Sequence, residues 1–198
     1  TDDEFKQLEE NILKEGKLLS PLIVWNNTLV DGHNRYAILQ KHPEIYFSTM
    51  PLRFANREEA LAWICKNQLG RRNLTPEQKL FLIGKQYEAE RAEHGCTRDD
   101  VQRTNGQFSR SSQNGNSGES VKTCERIAKE NGVSKNTVLR ASKYMKGVEI
   151  AEELIPGLKQ SILSGQTKVS KADMHRLAKA AYNDRAQTLQ DILHPELK

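Results

Sequence analysis

The sequence predicts an α+β chain: a small mixed α/β domain over residues 1–74, then an all-helical domain over residues 75–198. Two observations predict it. Residues 18–39, LLSPLIVWNNTLVDGHNRYAIL, run apolar segment, Asn-Asn, apolar segment, polar loop and helical spacing, which reads as strand, tight turn, strand, loop and helix. Beyond Thr75 the ordered stretches read as helices punctuated by Gly157 and Gly165.

The elements follow in order. Asp3 to Glu15 is expected as an amphipathic helix with Phe5, Leu8 and Ile12 on one face, stopped by Gly16. Leu22 to Trp25 is a short strand, Asn26-Asn27 the hairpin turn and Thr28 to Val30 the return. After the Asp31–Asn34 loop, a helix begins around Tyr36 and ends near His42-Pro43. Ser48 to Ala55 is a third strand, placed at an edge because Pro51 cannot donate to a ladder. Arg57 to about Asn67 is a helix with Ala60, Leu61, Ile64 and Cys65 inward, which makes Cys65 a small core residue rather than a nucleophile. Thr75-Pro76-Glu77-Gln78 is a helix start: Thr caps, Pro sits at the first helical position and Gln closes a capping box. That helix runs through Leu80, Ile83, Gly84 and Tyr87 to about Arg91. Residues 96–120 are rich in Gly, Ser, Asn, Gln and Arg and read as a mobile insertion, either a solvated tether or, through Arg98, Arg103 and Arg110, a contact for a polyanion. Beyond residue 145, Ile150 to Leu163, Lys171 to Ala181 and Arg185 to Ile192 are expected as short helices.

Composition narrows the function classes. A hydrophobic share of 36% over 198 residues suits two small cores better than one large one. No apolar run reaches the length of about 18 residues that a membrane span needs, and no charged-then-apolar leader pattern opens the chain. Thr1 in place of Met reads as the start of a fragment or a processed chain. Cys65, Cys96 and Cys124 are scattered and odd in number, as in a reducing cytosol, and the five histidines have no metal-ligand spacing. The net charge of +4 is unevenly placed. Residues 1–74 balance ten Lys/Arg against ten Asp/Glu, while residues 121–146 hold seven basic and two acidic residues. Such a local excess points to phosphate contact.

Thr123 to Tyr144 fits a helix-turn-helix, the motif spanning 123–145. Ile127 and Ala128 face inward on the first helix, Gly132 supplies the left-handed turn, Val133 plugs the corner, Ser134 caps the second helix and Val138 packs back. Lys135, Asn136, Thr137, Arg140 and Lys143 are left outward. Asn and Arg suit adenine and guanine edges, whereas Ser134, Lys135 and Lys143 suit phosphates. The plainer alternative is a helical hairpin with a solvated charged face.

The Asp31-Gly32-His33-Asn34-Arg35 loop has the parts of an anion site. Gly32 allows close approach, the following helix start offers N–H groups and Arg35 adds charge. Asp31 satisfying local donors, with Arg35 a surface charge, is the alternative.

Taken together, these motifs resemble the ParB family of partition proteins, with its ParB/sulfiredoxin-like N-terminal domain and KorB/ParB-type helix-turn-helix. Leu18 to Val24 is similar to the family's first segment, and Gly32 to Ala37 falls where the family has G-E-R-R and a small residue. Asn67-Gln68-Leu69-Gly70-Arg71 with Leu74-Thr75-Pro76-Glu77 falls where it has E-N-I-Q-R and L-x-P-x-E. The resemblance covers most of the chain outside 96–120 and implies CTP with magnesium in the N-terminal domain. It would place Ser20 and Pro21 at the base, Gly32 and Arg35 at the triphosphate, His33 and Asn34 among the nucleotide-binding residues of the same stretch, and Gln68 and Arg71 at the phosphate pocket. The family's acidic positions are His33 and Asn67 here, which removes the carboxylates magnesium prefers. The sulfiredoxin cysteine position is also His33, so that chemistry lacks its nucleophile.

The expected function is sequence-specific binding of double-stranded DNA, modulated by a CTP-like nucleotide, in partition or regulation of a plasmid, phage or other mobile element. A homodimer and a partition ATPase are the expected protein partners, no membrane is involved, and the location is the nucleoid-associated cytoplasm. A second reading is a nucleotide-dependent enzyme, an NTP hydrolase, kinase or ParB-like nuclease using His33 as base. A third is a protein–protein adaptor with a ligand-free N-terminal domain.

Overall fold

The computed structural model describes residues 2–71, 73–93 and 122–194. The expected insertion at 96–120 and Cys96 lie outside the described residues. The fold is α+β, and the chain divides into two compact units, Thr1–Ala60 and Leu61–Lys198.

In the first unit, α1 (Asp2–Glu15) turns Phe5, Leu8 and Ile12 onto the core as its apolar spacing requires. Strands β1 (Leu22–Trp25) and β2 (Thr28–Asp31) pair antiparallel, with Trp25 opposite Thr28. Between them Asn26 (φ 45°) and Asn27 (φ 62°) take the two left-handed positions of a type I′ turn, whose twist matches the strands. A register shift between Ile23 and Val24 interrupts the ladder. Helix α2 (His33–Lys41) follows at once, and Ile38 and Leu39 join Ile12, Leu18, Leu22 and Ile45 in one core.

The third strand is shorter than expected. Only Thr49–Pro51 (β3) pairs, parallel to β1, and the sheet order β2-β1-β3 leaves β3 at an edge, where Pro51 belongs. Leu52 still donates to the Val24 carbonyl at 2.8 Å. Beyond it Trp25 anchors the chain, its Nε1–H donating to the Phe54 carbonyl at 3.2 Å while the two rings meet edge-on with centroids 5.9 Å apart.

Helix α3 (Arg57–Leu69) spans the division between the units and buries Ala60, Ala62 and Cys65; Leu61 and Ile64, expected inward, are only half-buried. Burial pushes the Cys65 thiol up to about 11, the state of an inert core thiol.

In the second unit, α4 (Pro76–Glu93) opens on the expected capping box. Thr75 N–H donates to Gln78 Oε1 at 3.0 Å, and Gln78 N–H returns to Thr75 Oγ1 at 3.1 Å. The same hydroxyl donates to the Leu163 carbonyl at 2.8 Å, so one residue both caps a helix and ties it to α7 (Leu158–Leu163). Helix α5 (Thr123–Asn131) and the 20-residue α6 (Lys135–Leu154) follow, then α8 (Lys171–Lys179) and α9 (Arg185–Leu193). The helix expected over Ile150 to Leu163 is two elements. Ile150 belongs to α6, which continues to Leu154. Pro156 then drives Ile155 out of the helical region, to φ −134° and ψ 98°, and Gly157 at φ 89° starts α7.

Helix α6 is the spine of this unit. Val138 and Ala141 pack with Ile83, Cys124, Ile127 and Ala128, and Tyr144, Met145, Val148 and Ala151 pack with Phe81, Ile162, Met174 and Leu177. Two glycines set how closely its neighbours approach. A Cβ at Gly84 of α4 would run into the Ala141 backbone of α6, and a Cβ at Gly147 of α6 would run into the Met174 backbone of α8. Neither obstacle is a side chain that could swing away. Gly147→Ala should therefore destabilise the fold by about 1–3 kcal/mol, the cost of overpacking exceeding the roughly 1 kcal/mol that Ala gains in helix propensity. Urea unfolding of the two proteins measures this, and equal or greater stability of the variant would contradict the close crossing.

Candidate nucleic-acid interface

The corner between α5 and α6 is built as the sequence indicates. α5 ends at Gly132 (φ 63°), and Val133 N–H closes back on the Ala128 carbonyl at 2.9 Å. Val133 packs on the cluster formed by Ile127, Ala128 and Val138. Ser134 Oγ accepts from Thr137 N–H at 3.1 Å and so caps α6.

This geometry sorts the six candidate DNA-contact residues, Ser134 and the five outward ones. Asn136, Arg140 and Lys143 are exposed at spacings of four and three along α6, a single face. Ser134 and Thr137 are each engaged in local hydrogen bonds at the helix start. Ser134 Oγ accepts the capping bond and lies 2.9 Å from Thr137 Oγ1; Ser134 is exposed and Thr137 half-buried. Lys135 is exposed but engaged, its Nζ sitting 2.8 Å from Glu125 Oε1 on α5. That hydrogen bond lifts the Lys135 ammonium above its ordinary range and holds the Glu125 carboxyl below its own.

Two groups beside this face were not legible in the sequence. Glu125 meets Lys135 across the turn, ten residues away. His175 of α8 donates its Nε2–H to the Arg140 carbonyl at 3.0 Å, pinning α8 beside the same face. His175, Arg176, Lys179 and Asp184 line an open groove of about 580 Å³ there.

A polar layer also joins α5 to α4. Gln86, wholly buried, donates to Glu90 Oε1 at 2.9 Å, and Arg126 bonds both Glu90 and Glu130. Lys66 stands 3.6 Å from Glu130. Burial works against the Glu130 carboxylate, but Arg126, Lys66 and Gln86 outweigh it and hold its pKa below the ordinary 4.5.

The nucleotide candidates are distributed differently from the expected loop. Gly32 is left-handed at φ 99°, but residues 33–35 form the first turn of α2 rather than a loop. Arg35 folds back: its Nη2 donates to the Pro21 carbonyl and to Asp31 Oδ2, both at 3.3 Å, and its Nε is buried without a hydrogen-bond partner. A Cβ at Gly32 would meet Leu22 Cδ2 at 2.8 Å and Arg35 Nη2 at 2.9 Å, so the glycine is needed to seat that guanidinium. Ser20, His33 and Asn34 are exposed and Pro21 is half-buried. These six residues belong to the first unit, while Gln68, half-buried, and Arg71 belong to the second, where Arg71 N–H donates to the Gln68 carbonyl at 3.0 Å. Asp31, the one carboxylate in the 31–35 stretch, is already paired with Arg35, a donor set that does not fit a hard divalent cation. No helix among the described residues is long and apolar enough to cross a membrane.

No protein-family model matches the chain, and no curated protein matches it. Among solved structures it is similar to the C-terminally truncated chromosome-partitioning protein ParB from Caulobacter crescentus, complexed to the centromeric parS site. The identity is 16% and the TM-score 0.40, over 97% of this chain and 81% of that one.

The polar layer makes stability pH-dependent with a definite sign. A carboxyl whose native pKa is depressed contributes stability that is fully present above its unfolded value, near 4.5 for Glu130, and that is lost as pH falls through the lower native value. Glu130→Gln should flatten the acid limb of the stability curve below pH 4.5. Chemical unfolding across pH 3–7 is the measurement, about that window; an unchanged acid limb would show that Glu130 gains nothing from Arg126 and Lys66.

Proposed function

We propose that this chain binds double-stranded DNA through residues 123–145, with α6 as the element that enters the major groove. One observation carries the reading: an exposed face of Asn136, Arg140 and Lys143 on a helix whose start is fixed by the Ser134 cap and the Gly132–Val133 turn. A reading element must present base-edge groups from a backbone that does not shift, and α6 is clamped on both sides by close helix crossings. Asn136 and Arg140 have the donor and acceptor patterns for purine edges, and Lys143 suits a phosphate. The local excess of seven basic over two acidic residues in 121–146 supports the same partner.

The motif order that resembles the ParB family makes partition or regulation of a plasmid, phage or other mobile element the setting we propose. Sequence-specific binding requires a preferred duplex, which selection from a random pool would supply. Arg140→Ala should then weaken the selected duplex by about 1–3 kcal/mol and leave unrelated duplexes much less affected, as read by fluorescence anisotropy. Equal losses on both would reduce Arg140 to a phosphate contact.

A nucleotide-binding role for the first unit has its own supporting observation: α2 starts at Gly32 with no side-chain cap, and His33 and Asn34 of its first turn are exposed. Uncapped N–H groups at a helix start favour an anion. Calorimetric titration of CTP, ATP and GTP, with and without magnesium, tests it. Heat from one nucleotide that Asn34→Asp diminishes supports the role; silence with all three removes it.

A further inference from the structure

We propose that Glu125 is a specificity-determining residue: it holds Lys135 away from the DNA backbone and so suppresses binding to unrelated sequence. The inference rests on the reading of α6 as the DNA-binding helix.

The geometry puts the pair where this matters. Lys135 is the first residue of α6, next to the Ser134 cap, on the stretch of a recognition helix that comes closest to the duplex. Glu125 lies in the first turn of α5 and reaches across the corner to Lys135 Nζ at 2.8 Å. The side chains remain 45% and 44% exposed, so the pair stands at the surface that a duplex would cover. The other neighbouring charge on Glu125 is Lys122, at the start of the same helix.

Two local effects explain why a lysine at this position needs a partner. The N-terminus of α6 carries the positive end of the helix dipole, which repels an ammonium at the first position. The Glu125 carboxylate offsets that repulsion, and it sits at the positive end of its own helix, where it is favoured. The pair is therefore self-consistent without DNA. A phosphate approaching Lys135 must displace a carboxylate already within hydrogen-bond distance and must approach a second negative charge.

The consequence is selective. Phosphate contacts supply affinity for any sequence, and base-edge contacts supply discrimination. A cation tied to a protein carboxylate adds little to the first, while Asn136 and Arg140, one and five residues further along the helix, keep the second. Glu125 thus lowers the background against which the base contacts are read. A purely architectural ion pair would do none of this, because its loss would alter stability and leave the salt dependence of DNA binding unchanged.

The test uses the full chain and a 30-base-pair duplex of mixed, unselected sequence, with binding followed by fluorescence anisotropy from low to moderate salt. Four proteins are compared: wild type, Glu125→Gln, Lys135→Ala and the double variant. Glu125→Gln should bind about two- to fivefold more tightly, the range implied by an exposed ion pair. The slope of log K against log salt should steepen by about 0.9, one additional phosphate contact. Lys135→Ala should cancel both changes in the double variant. Thermal unfolding confirms that all four are folded. An equal gain with and without Lys135 would show that Glu125 acts only as a general negative charge and would overturn the proposal, as would a slope that Glu125→Gln leaves unchanged. A wild-type chain that binds no duplex at any salt would overturn the DNA reading itself, together with this proposal.

Discussion

Everything in the second unit depends on how closely α6 can approach its neighbours. At Gly84 against Ala141, and at Gly147 against Met174, backbone meets backbone with no room for a Cβ. Interhelical distance is set by the side chains at the crossing, and glycine gives the smallest separation a pair of helices can have. Once α4 and α8 are drawn in, the large residues of α6 on either side of the crossings are forced into shared cores, where Val138, Tyr144 and Val148 lose nearly all contact with water. A helix seated this way cannot rotate or slide without breaking two backbone contacts at once. Its remaining face, Asn136, Arg140 and Lys143, is consequently presented at a fixed angle and height.

Charge is arranged in two groups around that spine. One, Gln86, Glu90, Arg126 and Glu130, joins α4 to α5, and its charges offset one another. The other is the exposed pair of Glu125 and Lys135. Partly buried ions gain little net stability because desolvation cancels much of their attraction. Their geometric demand persists, however, and it fixes α5 relative to α4. Because Glu125 lies on α5, the first group also bears on where the second stands.

The legible features in the sequence were local ones. The Asn26-Asn27 turn, the Thr75–Gln78 capping box, the Gly132–Ser134 corner and the Ser134 cap each depend on residues within five positions of one another, and each has the expected geometry. The errors came where a distant contact decides. Residues 33–35 were expected in a loop, yet Gly32 starts the helix immediately because Arg35 folds back on Pro21 and Asp31. The close crossings at Gly84 and Gly147 were invisible too, since a glycine inside a helical pattern reads as a weak position until the neighbouring backbone is known. Glu125 and His175 belong to the same class: their partners, Lys135 and the Arg140 carbonyl, lie ten and thirty-five residues away.

The most direct measurement of the central claim is a residue-resolved map of amide chemical-shift changes when the full chain is titrated with duplex DNA. Changes should be largest from Ser134 to Lys143 and at the start of α5, and should fade along α6 beyond Gly147, away from the corner. Changes concentrated on α7 or α9, with the α5–α6 corner unaffected, would contradict the account.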